Sequence, residues 1–203
     1  MTRPVACVIL AAGRGTRFGS DKRRAEGPWG GPLLHHVLSL YRPLFQRMAV
    51  VIGPDDPFGA EACVRFSIPS LVNPEAEKGM GGSLAIGARW LMKEGSSCAV
   101  IGLADMPWIL ADTIAAVAVS GLESGRPVAP AYRGEIGFPR ALPAVLFPSL
   151  ARLSGDKGAS AVVDWSQALW LECDDPGVLQ DIDRPEDISR SPPRSAAAAV
   201  RHE

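Results

Sequence analysis

The chain has 203 residues, of which 47% are hydrophobic and 21% are charged, and its formal net charge is −1. This length and composition predict one globular domain with a sizeable core, and the near-neutral charge excludes a general electrostatic pull toward nucleic acid or an anionic membrane. The four cysteines are scattered without a C-x-x-C motif and no apolar run approaches membrane length, so we expect free thiols, neither a signal peptide nor a transmembrane helix, and a cytoplasmic protein.

Strand and helix patterns alternate along the chain. Strands are predicted at residues 5–10, 48–52, 70–72, 99–103 and 128–131, and helices at residues 32–44, 81–93 and 113–119, the last capped by Asp112. The alternation predicts an α/β fold, a three-layer sandwich around a mostly parallel central sheet. The last residues lack a periodic apolar pattern, so we expect one domain at residues 1–188 and a disordered tail at residues 189–203.

The first strand runs into a glycine-rich, cationic loop, LAAGRGTRFGSDK, at residues 10–22. Exposed backbone N–H groups and the side chains of Arg17 and Lys22 suit anionic oxygens. The spacing of Gly13, Gly15 and Gly19 is one residue too long for the dinucleotide motif G-x-G-x-x-G, and no glycine pair fits a P-loop. The loop therefore predicts a phosphate site in which Arg17 and Lys22 supply much of the charge.

Polar segments also follow the third and fourth strands. Residues 73–83 contain Asn73 and Ser83, and Asp105 comes two residues after the fourth strand. Ligands of open α/β sheets bind at the carboxyl ends of the strands, where a carboxylate opposite two cations suits Mg²⁺ bound to substrate phosphates. Simpler interpretations remain: Asp105 as a loop hydrogen-bond acceptor, Ser83 as a helix cap, and Asp181 and Asp183 as acids favoured near a helix start.

Six segments together resemble the molybdenum-cofactor nucleotidylyltransferases, the MobA/MocA-like family. LAAGRGTRFGSDK resembles L-A-A-G-x-S-x-R-M-G-x-x-K, and NPEAEKGMGGSLAIG resembles N-x-x-W-x-x-G-M-x-x-S-L-x-x-G. LADMP is similar to L-x-D-x-P, GFP to G-H-P, GDKGAS to G-D-x-G-A-R, and DIDRPEDI to D-I-D-T-P-E-D. They occur in family order between Val5 and about Ile188, and the resemblance implies the Rossmann-like fold of nucleotide-diphospho-sugar transferases.

The sequence departs from this pattern at several positions. Thr16 replaces the loop serine and keeps a hydroxyl, whereas Phe18 replaces a methionine. Phe138 stands where the pattern has histidine, Ser160 where it has arginine, and Ala76 where it has an aromatic residue. Phe138 and Ser160 lie in segments expected to face the acceptor substrate, so the acceptor is less well defined than the nucleotide.

The resemblance implies nucleotidyl transfer, in which a phosphate oxygen of an acceptor attacks the α-phosphorus of Mg·NTP and pyrophosphate leaves. Its implied catalytic residues are Arg17, Lys22 and Asp105, and its implied metal ligands are Asp105 and Asp183 for Mg²⁺. The implied nucleotide contacts are Leu10, Ala11, Ala12, Gly13, Gly15, Arg17, Lys22, Asn73 and Ser83. The implied acceptor contacts are Gly137, Phe138, Pro139, Gly155 and Asp156.

The identity of the base rests on Ala11 and Ala12. L-A-A-G resembles the cytidylyl-transferring branch and L-A-G-G the guanylyl-transferring one, so we expect CTP over GTP, with ATP a third choice, and molybdopterin as the acceptor. A molybdoenzyme is a candidate partner; nucleic acid and membranes are not expected. Two alternatives remain: a non-catalytic protein that delivers a nucleotide or pterin to a molybdoenzyme, and a nucleotidyltransferase acting on a sugar phosphate or alcohol phosphate.

Overall fold

The structure is a computed structural model that describes residues 5–13 and 15–189, with only the backbone at residue 16. Over these residues the sheet has eight strands: β1 Val5–Leu10, β2 Arg47–Ile52, β3 Ser70–Val72, β4 Cys98–Leu103, β5 Val128–Tyr132, β6 Glu135–Ile136, β7 Arg140–Pro143 and β8 Leu169–Glu172. The α-helices of the same residues are α1 Leu33–Tyr41, α2 Pro57–Arg65, α3 Met80–Glu94, α4 Ala111–Ser124 and α5 Phe147–Leu150.

The strand order is β3-β2-β1-β4-β7-β5-β6, with β8 paired to β5. The pairs β1–β2, β1–β4, β2–β3 and β5–β8 are parallel, whereas β7 runs antiparallel to β4 and β5, and β6 runs antiparallel to β5. The predicted α/β fold with a mostly parallel sheet is therefore confirmed. In the register of β1 and β4, Leu10 pairs with Leu103, so both strands end at the same edge of the sheet.

The packing of β1 explains why its sequence is a continuous apolar run rather than an alternation of apolar and polar residues. Cys7 and Ile9 of β1 pack into one hydrophobic cluster with α1, α2 and α4, whereas Ala6, Val8 and Leu10 pack into a second cluster with α3 and α5. A strand covered on both faces has no polar side, and the helices on the two faces make a three-layer sandwich.

The predicted elements match the structure best in the central sheet. The strands at residues 5–10 and 70–72 have the predicted bounds, and the helix predicted at residues 81–93 runs from Met80 to Glu94. The prediction that Asp112 caps α4 was wrong: Leu110 occupies the N-cap position and Asp112 lies in the first turn. Helices α2 and α5 and strands β6, β7 and β8 were not predicted.

Three expectations from the sequence concern the end of the chain, membrane-spanning helices and the cysteines. Ser189 ends a 3₁₀ helix, Pro185–Ser189, and the remaining residues of the predicted tail, 190–203, lie outside the described part. Within the described residues, no helix is both long enough and apolar enough to span a membrane. The four cysteines carry free thiols; Cys7, Cys63 and Cys98 are buried.

Candidate active site

The carboxyl ends of β1 and β4 bring the cationic loop and Asp105 side by side. The Ala104 N–H donates to the Leu10 carbonyl over 3.1 Å, which ties the segment after β4 to the end of β1. The Ile182 N–H donates to the Asp105 carbonyl over 2.8 Å and adds a segment from near the other end of the sequence. Three stretches far apart in sequence therefore meet at one edge of the sheet, as the strand-end argument predicts.

Lys22 is the buried cation of this site. It opens a 3₁₀ helix, Lys22–Arg24, and is only 8% exposed. Its Nζ donates to Asp105 Oδ2 at 2.8 Å, to the Ile182 carbonyl at 2.8 Å and to Asp183 Oδ1 at 3.1 Å. Burial alone lowers the pKa of the ammonium, but the charges and hydrogen bonds of Asp105 and Asp183 outweigh burial and raise that pKa above its ordinary value.

Three carboxylates surround this ammonium. One oxygen each from Asp105, Asp181 and Asp183 lies within 4.8 Å of the other two. Burial, and then the negative charges of Asp105 and Asp183, raise the pKa of the Asp181 carboxyl. The hydrogen bond from Lys22, followed by the charges of Lys22 and Arg17, lowers the pKa of Asp183. The site therefore gathers more negative charge than Lys22 alone neutralises.

The carboxylate set fits a divalent cation. Asp105 Oδ1 is buried and has no hydrogen-bond partner within the described part of the chain, although a carboxylate oxygen buried without a partner is costly. One carboxylate oxygen each from Asp105, Asp181 and Asp183 lies close enough to the others for the three residues to share an ion. Oxygen ligands of this kind suit hard divalent cations such as Mg²⁺ and Mn²⁺. The predicted pair of Asp105 and Asp183 is brought together, and Asp181 joins it.

Arg17 lies at the outer side of the same cluster. Its side chain is 74% exposed, and Nη1 donates to Asp183 Oδ2 at 2.8 Å. Gly15 and Gly19 flank its short 3₁₀ helix in left-handed backbone conformations, with φ of 57° and 79°. A Cβ at Gly15 would also lie 3.1 Å from Lys22 Cγ, so this glycine allows the loop to close over Lys22. At Gly13 a Cβ would meet no described atom within 4 Å, which leaves this exposed position open to a ligand.

A pocket of about 200 Å³ opens beside the carboxylates. Its lining includes seven residues with predicted site roles: Leu10, Ala11, Ala12, Gly13, Lys22, Ser83 and Asp105. Asn73, another predicted nucleotide contact, lies behind this lining: it is 2% exposed and its Nδ2 donates to Ser83 Oγ at 2.9 Å. Asn73 thus holds Ser83 in place at the pocket wall.

The pocket floor is supported by Arg23, a residue the sequence did not single out. Arg23 Nη1 donates to the Ala11 carbonyl at 2.9 Å, and the guanidinium also binds Asp21 and Asp56. Asp56 in turn caps α2 by accepting from the Gly59 N–H at 2.8 Å. The Ala11 N–H donates to the Val51 carbonyl at 2.8 Å, so the polar backbone groups of Ala11 are engaged within the protein. Ala12 and Gly13 also line this pocket.

A second pocket, of about 260 Å³, shares Leu10 and Met80 with the first. Two predicted acceptor residues, Phe138 and Asp156, line it, together with Leu84, Ile101, Arg140, Leu142, Gly158, Ala159 and Ser160. The other three shape its loops: the Gly137 N–H donates to the Pro130 carbonyl at 2.8 Å, Pro139 follows a cis peptide bond, and the Gly155 carbonyl accepts from the Gly81 N–H at 2.8 Å. The two departures from the family pattern, Phe138 and Ser160, therefore face the same pocket.

From the sequence no site role is predicted for Arg23 or Arg140, and the role of Asp181 stays open. Asp181 had a usable signal, because Asp-Ile-Asp places two acids on one side of an extended segment and a buried Ile182 on the other. Arg23 and Arg140 had none, since one partner of each, Asp56 for Arg23 and Trp165 for Arg140, comes from a distant segment that only the folded chain brings near.

Comparison with known proteins agrees with this geometry. A family model described as "MobA-like NTP transferase domain" matches residues 7–178. The purine catabolism protein PucB of Bacillus subtilis is 31% identical over 196 residues, which cover 89% of this chain and 92% of that protein. The bifunctional protein GlmU of Gluconacetobacter diazotrophicus is 34% identical over 113 residues, 55% of this chain; the match spans only 23% of that longer protein.

Solved structures share the fold at lower sequence identity. Rv0371c of Mycobacterium tuberculosis, in complex with manganese, superposes with a TM-score of 0.75 at 23% identity and covers 92% of this chain and 97% of its own. Molybdopterin-guanine dinucleotide biosynthesis protein A of Archaeoglobus fulgidus superposes with a TM-score of 0.66 at 16% identity, covering 92% and 96% of the two chains. At these identities the likeness shows the fold of nucleotidyltransferases.

Proposed function

The chain belongs to the MobA-like NTP transferase family, and on that premise we propose that it transfers CMP from Mg·CTP to a phosphate of molybdopterin, with release of pyrophosphate. The observation that carries this proposal is Asp105, which lines one pocket with residues 10–13 and whose buried Oδ1 has no hydrogen-bond partner within the described residues. A carboxylate in this position has a use if a cation bound to a triphosphate occupies the site.

The reaction needs positioning and charge neutralisation more than covalent chemistry. An oxygen of the acceptor phosphate forms a bond to the α-phosphorus of CTP, the bond from that phosphorus to the β-phosphate oxygen breaks, and pyrophosphate carries the electron pair away. When bound, Mg²⁺ neutralises charge on the triphosphate and on the leaving pyrophosphate. Asp105, Asp181 and Asp183 would hold it, and the manganese complex of the Mycobacterium relative supports a divalent cation in this fold.

The cations of the loop have separate tasks in this proposal. Arg17 is exposed and offers a planar fork to phosphate oxygens, whereas the buried Lys22 keeps the three carboxylates together before substrate binds. If the ammonium of Lys22 gives up one of its contacts with Asp105 and Asp183 when substrate binds, it can also donate to the triphosphate. We also propose that the protein acts in the cytoplasm, where free cysteines such as its four are typical.

The choice of CTP rests on Ala12. Its side chain is 7% exposed and lines the pocket, next to the engaged backbone of Ala11. A methyl group at this position leaves less room for a purine than for a pyrimidine.

Molybdopterin as acceptor is supported by the second pocket, which shares a wall with the first. The Archaeoglobus protein of the same fold is named for molybdopterin-guanine dinucleotide biosynthesis. A second candidate function has its own observation: Phe138 and Ser160, which replace the histidine and arginine of the family pattern, both line this pocket. They favour transfer to a different phosphorylated acceptor, such as a sugar phosphate or alcohol phosphate.

Thermal unfolding with each of the four Mg·NTPs tests the nucleotide. We expect Mg·CTP to raise the unfolding temperature more than Mg·GTP at equal concentration, because the ligand that binds the folded state more tightly stabilises it more. Stronger stabilisation by GTP would contradict the base, and stabilisation by no nucleotide would contradict the transferase proposal.

Pyrophosphate release with molybdopterin and CTP then tests the reaction. Asp105→Asn is expected to abolish release and retain the fold, because Asp105 lies at the pocket rather than in the core. Asp112→Asn, an exposed acid in the first turn of α4, is the control and should retain the parent rate. Turnover of Asp105→Asn within a few-fold of the parent would remove the metal from the mechanism. Release with a sugar phosphate but not with molybdopterin would favour the second candidate.

A further inference from the structure

Arg140 is held rigidly at the edge of the second pocket. It opens β7, and its guanidinium carbon lies 4.4 Å from the ring centroid of Phe138 and 4.2 Å from that of Trp165. Its Nε donates to the Gly137 carbonyl at 3.2 Å. Two aromatic rings and one hydrogen bond thus fix the plane of the guanidinium, while its terminal nitrogens keep their N–H donors available.

Among the described residues no carboxylate lies within salt-bridge distance of Arg140, although Asp156 lines the same pocket. The other half-buried cations near the site are paired, Lys22 with Asp105 and Asp183, and Arg23 with Asp21 and Asp56. Within residues 5–13 and 15–189, Arg140 forms no ion pair, and burial lowers its pKa. A buried charge without a counter-charge costs free energy, which an anionic ligand would recover.

The surroundings of Arg140 indicate the rest of such a ligand. Leu84, Ile101 and Leu142 line the same pocket, and Ser160 adds a residue with a hydroxyl. Leu10 and Met80 border both this pocket and the nucleotide pocket, so an occupant here lies next to a bound nucleotide.

We propose that Arg140 binds the phosphate monoester of the acceptor, and that the apolar wall of the second pocket takes the acceptor's flat or apolar body. A guanidinium fork donates two parallel hydrogen bonds to phosphate oxygens, which a lysine at this position could not do. The inference rests on the proposed function, because the second pocket serves an acceptor only if the first binds the nucleotide. Neither Gly137, Phe138 nor Pro139 supplies a positive charge, so Arg140 is the residue of this loop that selects an anionic acceptor.

Calorimetric titration of the full chain with small probes tests Arg140 without turnover. Phenyl phosphate combines an apolar ring with a phosphate monoester, benzoate replaces the phosphate by a carboxylate, and benzyl alcohol removes the charge. We expect phenyl phosphate to bind more tightly than benzoate, and benzyl alcohol to bind most weakly. In Arg140→Gln the affinity for phenyl phosphate should fall at least about tenfold, as expected for one lost charge-assisted hydrogen bond, and Arg140→Lys should lie between.

Matched variants separate this site from the nucleotide pocket. Arg89→Gln is the control, since Arg89 is another arginine that donates to a backbone carbonyl, that of Ala151, and it should leave phenyl phosphate binding unchanged. Stabilisation by Mg·CTP should persist in Arg140→Gln, which also shows that the variant is folded. Stabilisation by no nucleotide in the parent protein would contradict the proposed function, whatever phenyl phosphate does.

Three outcomes would overturn the role of Arg140. The first is equal affinity of Arg140→Gln and the parent for phenyl phosphate, or no binding to the parent. The second is binding of benzoate or benzyl alcohol as tight as that of phenyl phosphate. The third is loss of phenyl phosphate binding in Arg17→Gln but not in Arg140→Gln, which would locate the probe in the nucleotide pocket.

Discussion

Lys22 binds two of the carboxylates that could hold a divalent cation. Its ammonium contacts Asp105 Oδ2 and Asp183 Oδ1, two of the three carboxylates that lie within 4.8 Å of one another. The same two oxygens cannot bind a cation at full strength while the ammonium holds them. Lys22 therefore stabilises the carboxylate cluster, and we expect it to compete with a metal for these oxygens.

Lys22→Met tests this competition. Without metal, the variant should unfold at a lower temperature, because the carboxylates lose their counter-charge and the Ile182 carbonyl loses its donor, at a cost of about 1–3 kcal/mol. Mn²⁺ should then raise the unfolding temperature of the variant more than that of the parent protein. Lys78→Met is the control, since Lys78 lies on the surface and forms an ion pair with the exposed Glu75. Equal Mn²⁺ shifts in variant and parent would show that Lys22 and the metal do not share ligands.

Ala12→Gly tests the proposed role of Ala12 in favouring CTP over GTP. Removal of one methyl group from the pocket should shift the ratio of kcat/KM values toward GTP by about tenfold or more, because small shape differences in a pocket are worth about 1–3 kcal/mol. Ala6→Gly, buried in β1 away from the pocket, should lower stability and leave that ratio unchanged. A preference that stays the same in Ala12→Gly would mean that the base is selected elsewhere.

The sequence predicted the individual site residues unevenly, for a physical reason. Asp105 was predictable because it directly follows a buried strand, and strand ends collect ligands in this architecture. The contacts of Lys22 with Ile182 and Asp183 were not predictable, because these residues lie about 160 positions away and are brought near only by the completed sheet. The aromatic pair around Arg140 includes Trp165, which is also remote in sequence.

At the scale of elements, burial on both faces made the central strands predictable. β1 and β4 are nearly free of polar residues because helices cover them on either side. By contrast, β7 and β8 have four residues each, and β7 includes Pro143, so neither forms a pattern long enough to recognise. Helix α2 was missed because Pro57 and Gly59, usually signs of a turn, lie in its first turn, where Asp56 caps it.

The first turn of α3 packs closely against a neighbouring loop, and this packing depends on Gly81. A Cβ on Gly81 would lie 2.7 Å from the Lys157 carbonyl oxygen and 2.8 Å from those of Gly155 and Ser154. These are backbone atoms of the loop that carries Asp156 and borders the second pocket. The close approach lets α3 and this loop form a common wall for the two pockets.

The change in stability on Gly81→Ala shows whether helix propensity or the steric clash dominates, because the two effects have opposite signs. Helix propensity alone would stabilise the variant by about 1 kcal/mol, whereas the clash with three carbonyl oxygens should destabilise it by about 1–3 kcal/mol and weaken acceptor binding. We expect the clash to dominate in denaturant unfolding. Gly158→Ala lies at the same contact but would only approach Met80 Sδ at 3.4 Å, so it should be near neutral. A more stable Gly81→Ala would show that the loop moves away freely.

Over the whole molecule, the segment at residues 181–183 closes the site from the far end of the chain. Ile182 is fully buried, its N–H binds the Asp105 carbonyl, and its own carbonyl accepts from Lys22. Asp187 accepts from the Asp183 and Arg184 N–H groups at 3.1 and 2.8 Å and fixes the turn that follows. The region that matches the family model ends at residue 178, just before this segment.

Two truncations of the chain test how far the functional domain extends. Deletion of residues 181–203 removes two carboxylates of the cluster and the buried Ile182, so the unfolding temperature should fall clearly and Mn²⁺ should no longer raise it. Deletion of residues 191–203 is the matched control: its sequence has no periodic apolar pattern to dock, so both the unfolding temperature and nucleotide binding should match those of the full chain. A clear drop in the shorter deletion would show that the apolar run at residues 196–200 packs on the domain. Retention of the Mn²⁺ shift in the longer deletion would show that Asp105 binds the cation without Asp181 and Asp183.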